Sequence, residues 1–205
     1  WRVLDDALAA GHSPSWVHVE LIGGTAGRVG CEVAAGRRDL VEELIATTTA
    51  TRLVAQLGAR FRHRGRARGN VVMGSAPGEH HALALAIVAN VVRLAGYAVI
   101  ELGTDVPPEA FLAAVTHVED PLAVGLGVTT AERLPAAMGV IAALRAAHPA
   151  LPVVLGGQGV RNQEVAGLVG ATTWAPDADA VVATIDRLAN DRRRARRRSS
   201  APLQS

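Results

Sequence analysis

The sequence predicts an α/β fold: an N-terminal helical bundle followed by a domain built on a five-stranded parallel sheet. Three observations predict it. After residue 69, five short apolar runs of the kind that form strands buried on both faces alternate with stretches of helical spacing, the arrangement that builds parallel β-α units. Residues 1 to 63 carry helical periodicity instead. The 205-residue chain is 49% hydrophobic, enough for one well-buried domain plus a smaller one. The expected organisation is a helical module over 1–63, a linker over 64–69, the α/β domain over 70–190 and a disordered basic tail over 191–205.

In the first module Leu4, Ala7 and Leu8 share a face before Gly11, and Ser13-Pro14 supplies an N-cap and a first-turn proline for the next helix. Gly23-Gly24 is expected to interrupt that helix. A further helix is predicted through Val29, Val33 and Ala34 to Gly36. A long one follows from Leu40 to about Phe61, with Leu44, Thr47, Thr51 and Val54 along one face. Taken by itself this is a four-helix bundle that needs no ligand. Arg60 to Arg68, RFRHRGRAR, has the composition of a solvated connector.

The second domain opens with Asn70 to Ser75, an apolar run bounded by Gly69 and Gly74. Ala82 to Leu94 is helical, with Leu83, Ile87, Val91 and Leu94 on one face and Asn90 and Arg93 elsewhere. Gly96 stops the helix, and Tyr97 to Leu102 is a second strand, parallel to the first through a right-handed crossover. After Pro107-Pro108 a helix carries Phe111, Val115 and Val118, and Pro121 to Val128 is the third strand. A helix from about Arg133 to Ala147 leads to a fourth strand, Pro152 to Leu155, which ends in Gly156-Gly157-Gln158-Gly159. Val160 to Val169 is a short helix, Thr172 to Ala175 the last strand and Asp177 to Leu188 the closing helix. Asp191 to Ser205 holds six arginines in seven residues and no apolar face, so a solvated, disordered tail is expected, with nucleic acid or an anionic membrane surface as the alternative contact.

Composition narrows the function. A net charge of +2 argues against a nucleic-acid surface spread over the whole fold. Cys31 is the single cysteine, so no internal disulfide forms and a reducing cytoplasm is expected. No apolar run reaches the roughly 18 residues of a membrane span. The chain begins at Trp1, so a domain upstream is expected. Gly74-Ser75-Ala76 lacks the acidic residues of a receiver domain, and Gly74-x-x-x-Gly78 is not the glycine pattern of a dinucleotide fold. His80 and His81 are too few for a metallohydrolase.

The working site is the loop with Glu79, His80 and His81, at the carboxyl end of the first strand where open α/β sheets bind ligands. Glu79-x-His81 can set a carboxylate beside an imidazole, fixing its tautomer and raising its basicity toward a metal. One histidine cannot hold a free metal ion, so the metal must arrive with most of its own ligands.

Glu79-x-His81-x-x-Ala84 followed by Leu102-Gly103 resembles the signature of the cobalamin (vitamin B12) binding domain family, Asp-x-His-x-x-Gly with a later Leu-Gly strand end. The resemblance implies a flavodoxin-like (Rossmann-like) domain beneath a helical cap. It implies a cobalamin, as adenosylcobalamin or methylcobalamin, with its benzimidazole displaced, His81 on cobalt and Glu79 bonded to the other ring nitrogen. Ala84 stands where the family has glycine, adding a methyl beside the displaced tail. Gly127 stands where the family has a serine, which leaves Thr129 as the hydroxyl toward the buried base, unless it serves the next helix start. Gly156-Gly157 matches a turn lining the tail, and Trp174 either walls the tail pocket or is ordinary packing.

Glutamate within Pro77-Gly78-Glu79-x-His81 resembles the photoreceptor regulators of the MerR type. Their cap pattern Trp-x9-Glu-His falls on Val33, Glu43 and Leu44, so only the glutamate is kept, and Ala34 replaces a neighbouring histidine. Val33 pads the upper axial group without stacking, and no light-driven histidine ligation is expected from the cap. On this resemblance the chain is a cobalamin-binding sensory or regulatory module with an upstream DNA-binding domain. The alternative is a corrinoid carrier that passes methyl groups to a methyltransferase partner. Neither makes the chain an enzyme by itself, and an oligomer is compatible with both.

Overall fold

The computed structural model describes residues 1–61 and 65–199. Arg62, His63 and Arg64, where the expected helical module ends and the linker begins, lie outside the described residues, as do residues 200–205. Strands β1 (Asn70–Ser75), β2 (Ala98–Glu101), β3 (Pro121–Gly127), β4 (Val153–Gly156) and β5 (Thr173–Ala175) form one parallel sheet in the order β2-β1-β3-β4-β5. Winding reverses between β1 and β3, so their carboxyl ends flank the switch point where such sheets hold ligands. Helices α5 (Ala82–Leu94) and α9 (Ala178–Ser199) cover one face, and α6 (Pro108–His117), α7 (Leu134–Ala147) and α8 (Gln163–Leu168) the other. Coverage on both sides explains why the strands read as continuous apolar runs.

The N-terminal module contains α1 (Arg2–Ala9), α2 (Pro14–Trp16), α3 (Gly24–Ala34) and α4 (Leu40–Arg60). Ser13 caps α2 by accepting the Trp16 N–H at 3.1 Å. Asp39 and Glu42 close a capping box on α4, at 2.8 and 3.2 Å. Gly23-Gly24 does not interrupt the helix as expected. A π-helical stretch, Val17–Gly23, joins α2 to α3 through right-handed helical angles at both glycines. The absent side chain of Gly23 serves packing instead: a Cβ there would lie 3.0 Å from Ile87 of α5.

Helix α5 is consequently shared, with Leu85, Ala89 and Val92 against the sheet and Leu83, Ala86 and Ile87 against the N-terminal helices. This double packing also buries Asn90, which the helical spacing left off the apolar face. Asn90 is buried, donating to the Val54 carbonyl at 2.9 Å and to His18 Nε2 at 3.3 Å, while its own carbonyl accepts from Arg93 at 3.0 Å. A Cβ on Gly58 would come within 2.5 Å of Asn90, so glycine is what lets α4 approach. The buried face of α4 is Ala50, Val54 and Leu57, because α5 sets it; of the expected face only Val54 is buried, and Leu44 is 58% exposed.

The expected tail also differs. Helix α9 continues from Asp191 to Ser199, because Arg192 and Arg196, one turn apart, both pair with Asp120, and Arg192 also donates to the Pro121 carbonyl at 3.0 Å. Arginines in a last turn are further favoured by the helix dipole. Among the described residues no helix is long and apolar enough to cross a membrane.

Candidate functional site

From the end of β1 the chain turns through Ala76, whose N–H donates to the Gly127 carbonyl at 3.0 Å, and then through Gly78 at φ +76°. That turn places Glu79 inside the protein, 2% exposed. A buried carboxylate requires donors. Its Oε2 accepts the Thr129 N–H at 2.6 Å, and its Oε1 accepts the His81 N–H at 3.2 Å and bonds His81 Nδ1. Burial alone would raise the Glu79 pKa, but the hydrogen bonds from the His81 ring, the Thr129 N–H and the His81 N–H outweigh it and lower the carboxyl to about 2.

An ionised carboxylate only accepts, so Nδ1 carries the proton of the neutral His81 ring and Nε2 keeps its lone pair. The ring is 59% exposed, at the start of α5. The pair is thus a fixed tautomer presenting one basic nitrogen outward. His80 is exposed and shares no side-chain bond with the pair. Among the described residues no group of three or more His, Cys, Asp or Glu side chains could hold a metal ion, so a metal at Nε2 would bring its other ligands with it.

Beside His81 a cleft of about 700 Å³, including space open to solvent, runs between the sheet and helices α5 and α9. Gly125, Gly127 and Ala175 line it from the sheet, and Ala84, Val88 and Ala178 from the helices. These small side chains leave a slot suited to a flat apolar group, opening at the same edge as the imidazole. The residues present fit a group that brings its own metal ligands: His81 Nε2 could hold its metal, and the slot could receive a flat apolar part of it.

The structure brings Glu79, His81, Ala84, Thr129, Gly156 and Gly157 together. Thr129 contributes its backbone N–H to Glu79. Gly156 and Gly157 line the slot, but the close approach they permit is to protein. The Val128 N–H donates to Gly156 at 2.8 Å, Gly159 donates to Val128 at 3.0 Å, and a Cβ on Gly157, at φ +105°, would overlap the Val128 carbonyl. Gly103, at φ +87°, lies outside the slot lining and accepts the Ser75 N–H at 3.0 Å, with open space beside its Cα.

Trp174 does not line the slot. Strand alternation sends Ala175 to that face and Trp174 to the opposite core, with Leu155 and Ala166 in the same cluster. Glu43 lies against α3, where a Cβ on Gly30 would meet it at 3.2 Å, and Val33 is half-buried on α3 itself. Among the described residues no hydrogen bond or ion pair joins either to the Glu79–His81 loop.

Sequence reasoning missed Asp105, which accepts the Gly78 N–H at 2.6 Å and donates its own N–H to the Glu79 carbonyl at 2.9 Å. Its φ is +54°. The available signal was an aspartate two residues after a strand-ending Leu-Gly, since Asp tolerates left-handed backbone better than most residues.

An acid-oriented imidazole at the carboxyl edge of a Rossmann-like sheet, beside an apolar slot and a packed helical module, is the arrangement of a corrinoid-binding fold. Residues 69–184 match the B12 binding domain family, and the chain belongs to it. It is 33% identical over 125 residues to trimethylamine corrinoid protein 1 of Methanosarcina acetivorans, covering 58% of this chain and 56% of that one. It is 28% identical over 132 residues to a corrinoid protein of Desulfitobacterium hafniense strain Y51, covering 63% and 60%. The chain therefore spans little more than half the length of these relatives. The Methanosarcina barkeri monomethylamine corrinoid protein shares its fold, with a TM-score of 0.75 over 90% of this chain and 89% of that one at 18% identity. The methanol:cobalamin methyltransferase complex of the same organism gives a TM-score of 0.54 at 25% identity, over 89% of this chain and 72% of the matched one.

Proposed function

We propose that this chain is the corrinoid methyl carrier of a methyltransferase system, holding its corrinoid with the benzimidazole displaced and His81 on cobalt. The observation that carries this reading is the Glu79–His81 pair, locked through Thr129 at the mouth of the slot. The bound corrinoid supplies a cobalt that accepts and releases a methyl group. The chain would supply the rest: His81 Nε2 to hold the metal, Glu79 to keep the proton on Nδ1, and the slot to receive the tail.

The relatives are corrinoid proteins, one carrying trimethylamine in its name, and they support a carrier over the regulatory module expected first. That first expectation rested on the glutamate of the motif and on Glu43, the one residue kept from the three-residue cap pattern. The relatives add nothing to it, and they give no support to an upstream DNA-binding domain. A methylcobalamin form and a methyltransferase partner follow from the carrier reading.

The test is to load the chain with methylcobalamin in the dark and record its visible spectrum beside that of His81→Ala. The wild type is expected to show the base-displaced, histidine-ligated form, and the variant a base-on spectrum or no retention. An unchanged spectrum in the variant would remove His81 from the metal. Adenosylcobalamin-driven assembly that light reverses, read by size-exclusion chromatography, would restore the regulatory reading.

A further inference from the structure

We infer that Asp105 is a positioning residue for the histidine ligand, acting through Gly78; the inference rests on the reading of His81 as the residue that meets the corrinoid. Three observations converge on it. Asp105 grips the Glu79 loop twice, with Oδ1 on the Gly78 N–H at 2.6 Å and its own N–H on the Glu79 carbonyl at 2.9 Å. It holds φ +54°, a left-handed backbone that Asp adopts more readily than most residues and that sets both of its bonding groups toward the Glu79 loop. The Arg133 guanidinium lies against the loop at Gly78, so close that a Cβ there would stand 2.5 Å from its Nη1.

Gly78 is therefore confined by a carboxylate on its N–H and a guanidinium at its Cα. Glu79 follows directly, and everything that fixes the His81 ring passes through Glu79. The remaining ties of the loop are the Glu79 N–H on the Ala76 carbonyl at 3.0 Å and the Thr129 bond. Both act on Glu79 itself. Without the Asp105 acceptor the Gly78 N–H loses its partner, and Glu79 is held only by its own bonds to Ala76, Thr129 and the Asp105 N–H, so the backbone from which the carboxylate reaches Nδ1 is held less firmly. Asp105 is also attached to β2 through Gly103 and Leu102, so it couples the loop after β2 to the loop after β1.

The side-chain bond can be separated from the backbone conformation. Asp105→Asn keeps an acceptor and tolerates φ +54°. Asp105→Gly removes the acceptor while accepting that φ without cost. Partners that orient a metal-bound histidine change metal affinity by roughly 10 to 100-fold, and Asp105 acts one step further out, so a loss of about 10-fold is expected. Hydroxocobalamin affinity, measured by visible titration, should be near wild type in Asp105→Asn and about 10-fold weaker in Asp105→Gly. Retained binding in Asp105→Gly, or an equal loss in both variants, would overturn the inference.

A second readout needs no cofactor. In the apo protein the His81 ring nitrogens should report a single Nδ1–H tautomer by NMR in the wild type and in Asp105→Asn, and a tautomer mixture in Asp105→Gly. An unchanged single tautomer in Asp105→Gly would refute the positioning role even if the corrinoid reading holds. Failure of the wild type to bind any corrinoid, with the tautomer shift intact, would refute that reading and leave the positioning role standing. Thermal unfolding of the two variants confirms that each is folded.

Discussion

Glu79→Gln removes one oxygen and the charge while keeping shape, which makes it the most informative change at the site. Three donors converge on the two Glu79 oxygens: the Thr129 N–H at 2.6 Å, the His81 N–H at 3.2 Å and His81 Nδ1. An amide has one acceptor oxygen. If it faces His81, the amide nitrogen meets the Thr129 N–H, donor against donor. If it is flipped, both His81 bonds are lost. The better orientation forfeits one bond to a charged group, worth about 1.5–3 kcal/mol, and leaves a buried donor unpaired at about 1–3 kcal/mol. Allowing for overlap between the two terms and for relaxation, the apo chain should lose about 2–4 kcal/mol in urea unfolding followed by circular dichroism. Corrinoid affinity should fall by roughly 10 to 100-fold. Because that orientation keeps the Nδ1–H acceptor, the histidine-ligated spectrum should survive. A stability change under about 0.5 kcal/mol with unchanged affinity would refute the assignment of these bonds, since surface substitutions reach only that size. Complete loss of the ligated spectrum would show that the acid does more than orient the ring.

Gly157→Ala places a Cβ on the Val128 carbonyl at φ +105°, so a loss of about 2 kcal/mol or more in chemical unfolding is expected, and wild-type stability would contradict the close approach of the two loops. His18 is fully buried, and burial lowers its pKa below 6.5 against the raising effect of its bond to the Pro14 carbonyl. The native state therefore resists protonation, so the stability contribution is complete above pH 6.5 and declines as pH falls through the lower folded value. Unfolding curves between pH 7 and pH 5 should show a decline that His18→Gln flattens; parallel curves would refute it. If adenosylcobalamin is bound and photolysed, neither His12 nor His18 should take the vacated position, because His18 is bonded to Pro14 and Asn90 and His12 stacks on Trp16 at 3.8 Å. A bis-histidine spectrum after illumination would disprove that.

Much of the fold was legible because the sheet is covered on both faces. Val71, Val72 and Met73, like Val153, Val154 and Leu155, are all buried, and such runs separated by helical spacing leave few arrangements other than parallel β-α units. The N-terminal module was less legible because its partner is α5, whose residues lie in the other domain of the sequence. Amphipathic spacing alone put Leu44, Thr47, Thr51 and Val54 along one face of α4, whereas contact with Ile87 and Asn90 keeps Val54 and replaces the others with Ala50 and Leu57. Gly23 misled for the same reason: a glycine within a helix costs stability locally, and only the approach of Ile87 shows what offsets that cost. The arginine tract read as disordered because the acceptor that holds it, Asp120, is 72 residues from Arg192.

At the site, the residues that act through side-chain chemistry could be read and those that act through backbone geometry could not. Glu79-x-His81 is informative because two residues apart, at a strand end, a carboxylate and an imidazole can meet without help from the rest of the fold. Thr129 was singled out for its hydroxyl, yet its contribution to Glu79 is an N–H that any residue but proline supplies, so no side-chain signal marks it. Asp105 lies between these cases. Its carboxylate is visible in the sequence, but its partner is the Gly78 N–H, 27 residues earlier, and only the parallel register of β1 with β2 brings the two loops together. The same register sets the limit on Trp174. An indole at a strand end faces whichever side the pairing of β5 with β4 dictates, and a one-residue shift would have exchanged it with Ala175 in the slot.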